Sequence, residues 1–173
     1  MTNIEKEVNK MMCELIEKYC EKTDTGKWGT GDFADIARVE KGLRGEVGED
    51  FVEGVLQQMG YTDAQRKDNR RGEYDITANG FRIEVKTASE DIHNSFQFNS
   101  IRHDVDYDFL FVVGIAPDNI YFRIYKKKDI PQNLPPMAKN TERVYKFTHT
   151  KNKLYELCML EAEVKKMLGE PKS

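Results

Sequence analysis

One short segment, residues 73–86, constrains the fold of this chain more than any other part of the sequence. Asn79-Gly80 lies between two runs in which apolar and polar residues alternate. Asn-Gly favours a type I′ turn, whose two central residues need positive φ, and such turns join antiparallel strands. With these two residues as the turn, Ala78 pairs with Phe81, and the remaining register follows by counting. The segment therefore predicts a β-hairpin.

Alternation along the two strands sorts the hairpin side chains onto two faces. The apolar face would hold Tyr74, Ile76, Ala78, Phe81, Ile83 and Val85. The polar face would hold Glu73, Asp75, Thr77, Arg82, Glu84 and Lys86.

The predicted register places the carboxylates of Asp75 and Glu84 opposite each other, with β-carbons about 5 Å apart. Like charges at that distance repel by roughly 3 kcal/mol at an effective dielectric of 20. A divalent cation would turn this repulsion into binding, and Mg²⁺ suits a site with one or two carboxylates, waters and a phosphate. The alternative is an exposed charged face with a weak ion pair between Lys86 and Glu73.

The spacing of Asp75, eight residues, then Glu84-Val85-Lys86 resembles the motif of the PD-(D/E)XK nuclease superfamily. Tyr74 stands where the motif has proline, and the resemblance spans about residues 41–125. It implies an α/β, restriction-endonuclease-like fold with a mixed central β-sheet flanked by helices. It also implies a Mg²⁺-dependent endonuclease that hydrolyses DNA phosphodiester bonds, most like a type II restriction endonuclease.

The resemblance also implies a role for each motif residue. Asp75 and Glu84 would bind Mg²⁺, for which Mn²⁺ substitutes, helped by the backbone carbonyl of Val85. Lys86 would orient or deprotonate the attacking water. No nucleotide cofactor is implied. Family members often add an acidic residue from a preceding helix, and Glu49 is the candidate here.

Glu49 is chosen by its angle on a predicted amphipathic helix that ends near Met59. The apolar stripe of that helix consists of Val47, Phe51, Val52, Val55, Leu56 and Met59. Glu46, Asp50 and Glu53 point roughly 150° or more from the centre of the stripe, toward solvent, whereas Glu49 lies only about 110° away. Glu49 is therefore predicted to reach toward the metal, and a purely solvated helix face is the alternative.

Basic and amide side chains near the motif are the candidate DNA contacts: Arg66, Lys67, Arg70, Arg71, Gln97 and Arg102. The four basic residues before the hairpin would position phosphates rather than read bases. The alternatives are a solubilising loop and a structural amide. The expected partner is double-stranded DNA, and two-fold symmetric sites favour a homodimer.

Length and composition indicate one soluble domain. The chain has 173 residues, with 33% charged and 39% hydrophobic residues and a formal net charge of −3. We predict a single nuclease domain over 1–173, with an N-terminal helical extension (1–30), a catalytic core (41–125) and a C-terminal helix (150–170). No apolar run is long enough to cross a membrane, so no membrane partner is expected. Three cysteines without zinc-finger spacing favour a reducing, cytoplasmic location.

Hydrophobic periodicity supplies the other predicted elements. Helices are predicted over 3–22, from Asp32 to about Glu40, and over 152–168. Strands are predicted at 96–98, at 108–115 with both faces covered, at 120–125, and as an edge strand at 144–148.

Two other functions remain open from the sequence. The segment Lys41-Gly-Leu-Arg-Gly-Glu46 also resembles Holliday junction resolvases, which are structure-specific nucleases. A non-catalytic DNA-binding protein with the same fold is the third reading, and the presence of all three motif side chains counts against it.

Overall fold

The computed structural model describes residues 3–19, 31–40, 42–67, 74–138 and 143–172, which build three layers. A mixed six-stranded sheet lies between a layer of helices and a separate two-stranded ribbon. The predicted α/β class and the mixed central sheet flanked by helices are confirmed.

The helices are α1 (Asn3–Tyr19), α2 (Leu43–Gln58) and α3 (Leu160–Leu168). The strands are β1 (Gln65–Arg66), β2 (Ile76–Ala78), β3 (Phe81–Ser89), β4 (Ser95–Ile101), β5 (Phe109–Ile115), β6 (Ile120–Lys126), β7 (Tyr145–Thr150) and β8 (Tyr155–Glu156). The large sheet has the order β1-β2-β3-β5-β6-β8, in which β3 and β5 are parallel and the other neighbouring pairs antiparallel. β4 and β7 form a separate two-stranded sheet.

The hairpin of β2 and β3 has the predicted register. Ala78 pairs with Phe81 and Ile76 with Ile83. Asn79 and Gly80 have φ of 53° and 83°, as a type I′ turn requires. The apolar residues Ile76, Ile83 and Val85 are buried. The alternation is therefore correct from Ile76 onward.

The alternation breaks at Asp75, one residue before β2 begins. The Asp75 N–H donates to the Ile83 carbonyl, while an Asp75 carboxylate oxygen accepts the N–H of Val85 at 2.7 Å. The Asp75 side chain thus replaces a backbone group in the hydrogen-bond ladder between the two strands. Because of this, Tyr74 no longer follows the alternation of the hairpin. Tyr74 consequently packs with the ribbon-side core and not with the apolar hairpin face, which corrects the prediction for that residue.

Strand β5 is buried on both faces, as its apolar run predicts. Phe109, Phe111 and Val113 contribute to the core beneath the helices. Leu110 and Val112 contribute to the core beneath the β4–β7 ribbon. Two cores on either side of one strand fix the order of the three layers.

Helix α2 approaches the hairpin closely through a glycine. A β-carbon at position 48 would lie 1.6 Å from Oγ1 of Thr87, so only glycine permits this spacing. The predicted apolar residues of α2 are buried apart from Met59, which is partly buried. The contact at Gly48 brings the adjacent Glu49 to the rim of the hairpin.

Two predicted helices differ from the structure. The segment after Asp32 forms only a short 3-10 helix, Ala34–Arg38. The helix predicted over 152–168 begins at Leu160, because the preceding residues form β8 and two 3-10 turns. The strand predicted at 144–148 is β7, which pairs with β4 and so is not an edge of the large sheet. The first helix is α1, and residues 20–22 of its predicted range lie outside the described residues.

Residues 168–172, which we call the turn clamp, bind the hairpin turn. The Asn79 side-chain amide donates to the carbonyls of Leu168 at 2.6 Å and Glu170 at 3.1 Å. Lys172 donates to the Asn79 carbonyl at 3.1 Å. The turn is thus held by a distant part of the chain as well as by its own sequence.

Within the described ranges, no helix is long and apolar enough to cross a bilayer.

His149 is buried among aromatic rings between the ribbon and the sheet. Its Nε2 atom and the Tyr125 hydroxyl lie 2.8 Å apart and share a hydrogen bond, whereas Nδ1 is buried with no partner. Protonation would leave a buried N–H unpaired. Burial, followed by the charges of Lys153 and Arg123, lowers the pKa of His149 to about 4.

We therefore expect acid to destabilise the fold through His149. A histidine whose pKa is depressed in the folded state binds a proton more readily when unfolded, so stability falls as pH drops from about 6.5 toward 4. The loss from this group is about 3 kcal/mol. Urea unfolding from pH 7 to pH 4 should show a weaker pH dependence for His149→Gln than for the unchanged protein. The exposed His93→Gln serves as the control, and an equal pH dependence of both variants would contradict the assignment.

Candidate active site

Asp75, Glu84 and Lys86 converge where the hairpin begins to open. Lys86 Nζ lies 2.5 Å from Glu84 Oε1 and 4.0 Å from Asp75 Oδ2. Glu84 is almost fully buried, while Asp75 and Lys86 are half-buried. The three side chains of the motif are thus brought together in one place.

The carboxylate of Glu84 is held by one of its two oxygens. Oε1 accepts hydrogen bonds from Lys86 at 2.5 Å and from Arg102 at 3.2 Å. Oε2 is buried and has no hydrogen-bond partner. A buried carboxylate oxygen normally has a partner, because leaving it unpaired costs free energy. The unpaired oxygen therefore marks a position where a cation would fit.

A cleft of about 910 Å³ opens above this group. It lies between α2, the start of the hairpin and one end of the β4–β7 ribbon. The described residues that line it are Glu46, Glu49, Asp50, Glu53, Gln65, Arg66, Lys67, Tyr74, Asp75, Lys86, Ser100, Arg102 and Val144. Acidic side chains slightly outnumber basic ones in this set, so the described lining offers no net positive charge to an anionic substrate.

The four acids of α2 are arranged around Arg66. Its guanidinium donates to Glu49 at 2.7 Å and to Glu46 at 2.9 Å, and it also contacts Asp50. Glu53 accepts the backbone N–H of Arg66 at 2.9 Å. The prediction that Glu46, Asp50 and Glu53 point to water is therefore wrong, because strand β1 folds back over this side of the helix.

Among the α2 acids, Glu49 has a pKa that the charge of Asp75 affects. Burial is the largest cause that raises its pKa to about 7, and the negative charge of Asp75 adds to it, while Arg66 opposes the rise. The pKa of Asp75 is also raised, first by burial, with Lys86 lowering it and Glu84 raising it. The fold thus places these carboxyl groups closer to each other than is favourable for their charged forms. It also shields them from water, which disfavours the charged forms further.

The available donors fit Mg²⁺ as a partial protein site. Among the described residues, no three His, Cys, Asp or Glu side chains form a complete metal cage. Mg²⁺ commonly keeps several waters and uses one or two carboxylates together with substrate phosphate. Asp75 and Glu84, with the unpaired Oε2, match that donor set.

Among the predicted DNA contacts that the structure describes, Arg66, Lys67 and Arg102 line the cleft, whereas Gln97 does not. Lys67 is exposed, lines the cleft and lies over the ring of Tyr74 at 4.2 Å. Gln97 is exposed on the ribbon. Arg66 is ion-paired with α2, and Arg102 contacts Glu84. Arg70 and Arg71 lie outside the described residues, as does Glu73.

Ser100 lines the cleft, although the sequence around it does not indicate this position. The β4–β7 pairing shifts register between Phe98 and Ile101, and Ser100 has a φ of 60°. β-Bulges of this kind redirect side chains and are common beside active sites. The bulge turns Ser100 and the following Arg102 toward the motif. Positive φ at serine has no local sequence signature.

When the chain was compared with models of known protein families and with curated proteins, neither comparison gave a match.

Proposed function

We propose that this protein is a Mg²⁺-dependent DNA endonuclease with a restriction-endonuclease-like fold, most like a type II restriction enzyme. The observation that carries the proposal is the convergence of Asp75, Glu84 and Lys86, of which Asp75 and Lys86 line an open cleft. The single-domain reading of 1–173 belongs to the same proposal.

Asp75, Glu84 and the carbonyl of Val85 would hold the Mg²⁺ ion, or Mn²⁺ in its place, with Glu49 contributing directly or through water. The buried, unpaired Oε2 of Glu84 supports this assignment. A bound Mg²⁺ supplies Lewis-acid polarisation of the phosphate, lowers the pKa of a bound water and stabilises the leaving oxygen.

The protein's own contribution to hydrolysis centres on Lys86. Its ammonium group is already fixed between two carboxylates, at 2.5 Å and 4.0 Å. There the ammonium form would orient the attacking water and offset negative charge on phosphorus, whereas deprotonating that water would require Lys86 as the neutral amine, which becomes the ammonium form by accepting the proton. The water oxygen bonds to phosphorus as the bond to the 3′ oxygen breaks, leaving a 5′-phosphate and a 3′-hydroxyl.

Arg102 and Lys86 together fix the carboxylate of Glu84. Because both cations bind Oε1, the carboxylate cannot rotate without losing charge-assisted hydrogen bonds. Oε2 is therefore kept facing the position proposed for the metal. Lys67 is exposed at the mouth of the cleft and would contact phosphate.

The proposed partner is double-stranded DNA, bound by a homodimer in the cytoplasm. Among the described residues, Cys13 and Cys158 are free thiols, which a reducing compartment maintains. A structure-specific nuclease of the Holliday junction resolvase type is the second candidate, supported by the sequence before α2.

Cleavage assays on two substrates test the proposal and separate its alternatives. The protein would be incubated with supercoiled plasmid and with a four-way junction, each with Mg²⁺ and with a chelator. Restriction-type activity predicts linear plasmid with discrete ends, and a resolvase predicts cleavage of the junction alone. Binding without cleavage of either substrate would leave a non-catalytic DNA-binding protein and remove the proposed activity.

The part played by Glu49 can be tested with its neighbour Glu53. Glu49→Gln should slow cleavage more at limiting than at saturating Mg²⁺, because it weakens one ligand among several. Glu53→Gln should do almost nothing, since glutamine can still accept the N–H of Arg66. The measurement is the Mg²⁺ concentration at half-maximal rate. Equal, negligible effects would show that α2 contributes only packing.

A further inference from the structure

The outer face of the β4–β7 ribbon carries uncharged hydrogen-bonding side chains, together with Lys146, which shares that face by alternation along β7. On its inner face, Phe96, Phe98 and Phe147 are buried against the sheet. The uncharged outward side chains are exposed and polar: Gln97, Asn99, Thr148 and Thr150. In a chain with 33% charged residues, these four positions carry no charge.

This face is continuous with the candidate active site. Ser100 and Arg102, at one end of β4, and Val144, just before β7, line the same cleft as Asp75 and Lys86. Gln97 is three residues from Ser100, which corresponds to about 10 Å along a strand. Bases in a DNA strand are spaced by about 3.4 Å, so this separation spans about three base pairs.

The ribbon has the dimensions and chemistry of a base-reading element. A two-stranded ribbon fits the major groove of B-DNA, where amide side chains pair with adenine and threonine contacts the thymine methyl group. The absence of carboxylates at the four outward positions avoids repulsion by phosphates. They also carry no aromatic residue or arginine, the anchors that dominate protein–protein interfaces.

Gln97 is held in place by its neighbours in β4. The side chains on either side of it in sequence, Phe96 and Phe98, are fully buried, with ring centroids 6.5 Å apart. Its Nε2 atom donates to Asn99 Oδ1 at 2.9 Å, which orients the amide. Thr148 lies directly opposite on β7. A side chain on a rigid strand with its amide oriented is suited to recognising one base edge.

We propose that the outer face of the β4–β7 ribbon reads base edges in the major groove of duplex DNA. Gln97, oriented by Asn99, recognises an adenine about three base pairs from the cleaved bond. The inference rests on the proposed nuclease function for its substrate, and it adds the element that selects the sequence.

Selection from a randomised duplex library tests the inference. The full chain would bind the library in Ca²⁺, which replaces Mg²⁺ without supporting cleavage, and the bound DNA would be sequenced. A parallel sample in Mg²⁺ would be sequenced at its cleaved ends. We expect a motif containing adenine at a fixed distance of about three base pairs from the ends.

Gln97→Ala should reduce the preference for that adenine by roughly 5- to 150-fold while leaving the rest of the motif. Asn99→Ala is the second variant and should weaken the same position. Gln58→Ala, an exposed glutamine at the end of α2 outside the cleft, should give the motif of the unchanged protein. Circular dichroism would confirm that each variant is folded.

Retention of the full motif by Gln97→Ala and Asn99→Ala would overturn the proposal. So would cleavage by the unchanged protein with random ends, although the nuclease function would then stand. Selection of a motif without cleavage in Mg²⁺ would have the opposite meaning, because the ribbon would still read DNA while the nuclease proposal failed.

Discussion

Asp75→Asn and Glu84→Gln are each expected to reduce Mg²⁺-dependent DNA cleavage to the background of the chelated reaction. Each change removes one of the two carboxylates that the proposed metal needs, and one motif carboxylate, the Val85 carbonyl, Glu49 and water are too few strong donors to replace it. The measurement is plasmid cleavage across a Mg²⁺ titration. Asp118→Asn, an exposed aspartate in the turn between β5 and β6, is the matched control and should cleave normally.

The same two variants should differ in stability without metal. Asparagine at 75 can still accept the N–H of Val85, and it removes the buried charge, whose burial is the largest cause that raises the pKa of Asp75, together with its repulsion by Glu84. Its free energy of unfolding should therefore be unchanged or slightly higher. Glutamine at 84 leaves Lys86 and Arg102 without their anionic partner, so that variant should be less stable. Normal cleavage by either variant would remove the proposed site.

Lys86→Ala is expected to lower the cleavage rate by roughly 10²- to 10⁴-fold, the range for a positioned acid–base group. Its effect on DNA affinity in Ca²⁺ should stay within a few fold, because one lysine contributes only about one phosphate contact. Single-turnover cleavage and binding in Ca²⁺ measure the two quantities separately. The exposed Lys126→Ala, at the far end of β6, controls for loss of charge.

A Lys86→Ala protein that cuts DNA at the normal rate would show that the lysine only neutralises Glu84. Loss of binding and cleavage in the same proportion would instead assign it to substrate affinity. The free energy of unfolding of the variant should be measured as well, because within the described part of the chain the alanine leaves buried Glu84 with Arg102 as its remaining cationic partner.

The hairpin could be predicted from sequence because its signals are local. Asn79-Gly80 fixes the turn, and a period of two fixes the faces. The wrong prediction for Tyr74 also has a local cause, but the alternation of apolar and polar residues does not reveal it. The carboxylate of Asp75 replaces a backbone acceptor for Val85, so β2 begins only at Ile76 and Tyr74 lies outside the strand in which the pattern places it.

The pairing of strands that are distant in sequence could not be predicted from the sequence. β4 and β7 are separated by more than 40 residues, and neither carries a signal that selects the other. The orientation of the α2 acids was equally inaccessible, because it depends on Arg66 being brought across the helix by the β1–β2 pairing. Helical angles singled out Glu49, whose pKa the charge of Asp75 helps to raise, but they contain no information about what covers the other three acids.

The turn clamp has a consequence for the order in which the protein is built during translation. Asn79 and its acceptor Leu168 are separated by 89 residues. At about 5–20 residues per second, ribosomes need roughly 4 to 18 seconds to cover that distance. An isolated hairpin closes in about 1–10 μs. The hairpin that carries Asp75 and Glu84 can therefore form long before its turn is secured, and it waits for the last part of the described chain to be synthesised.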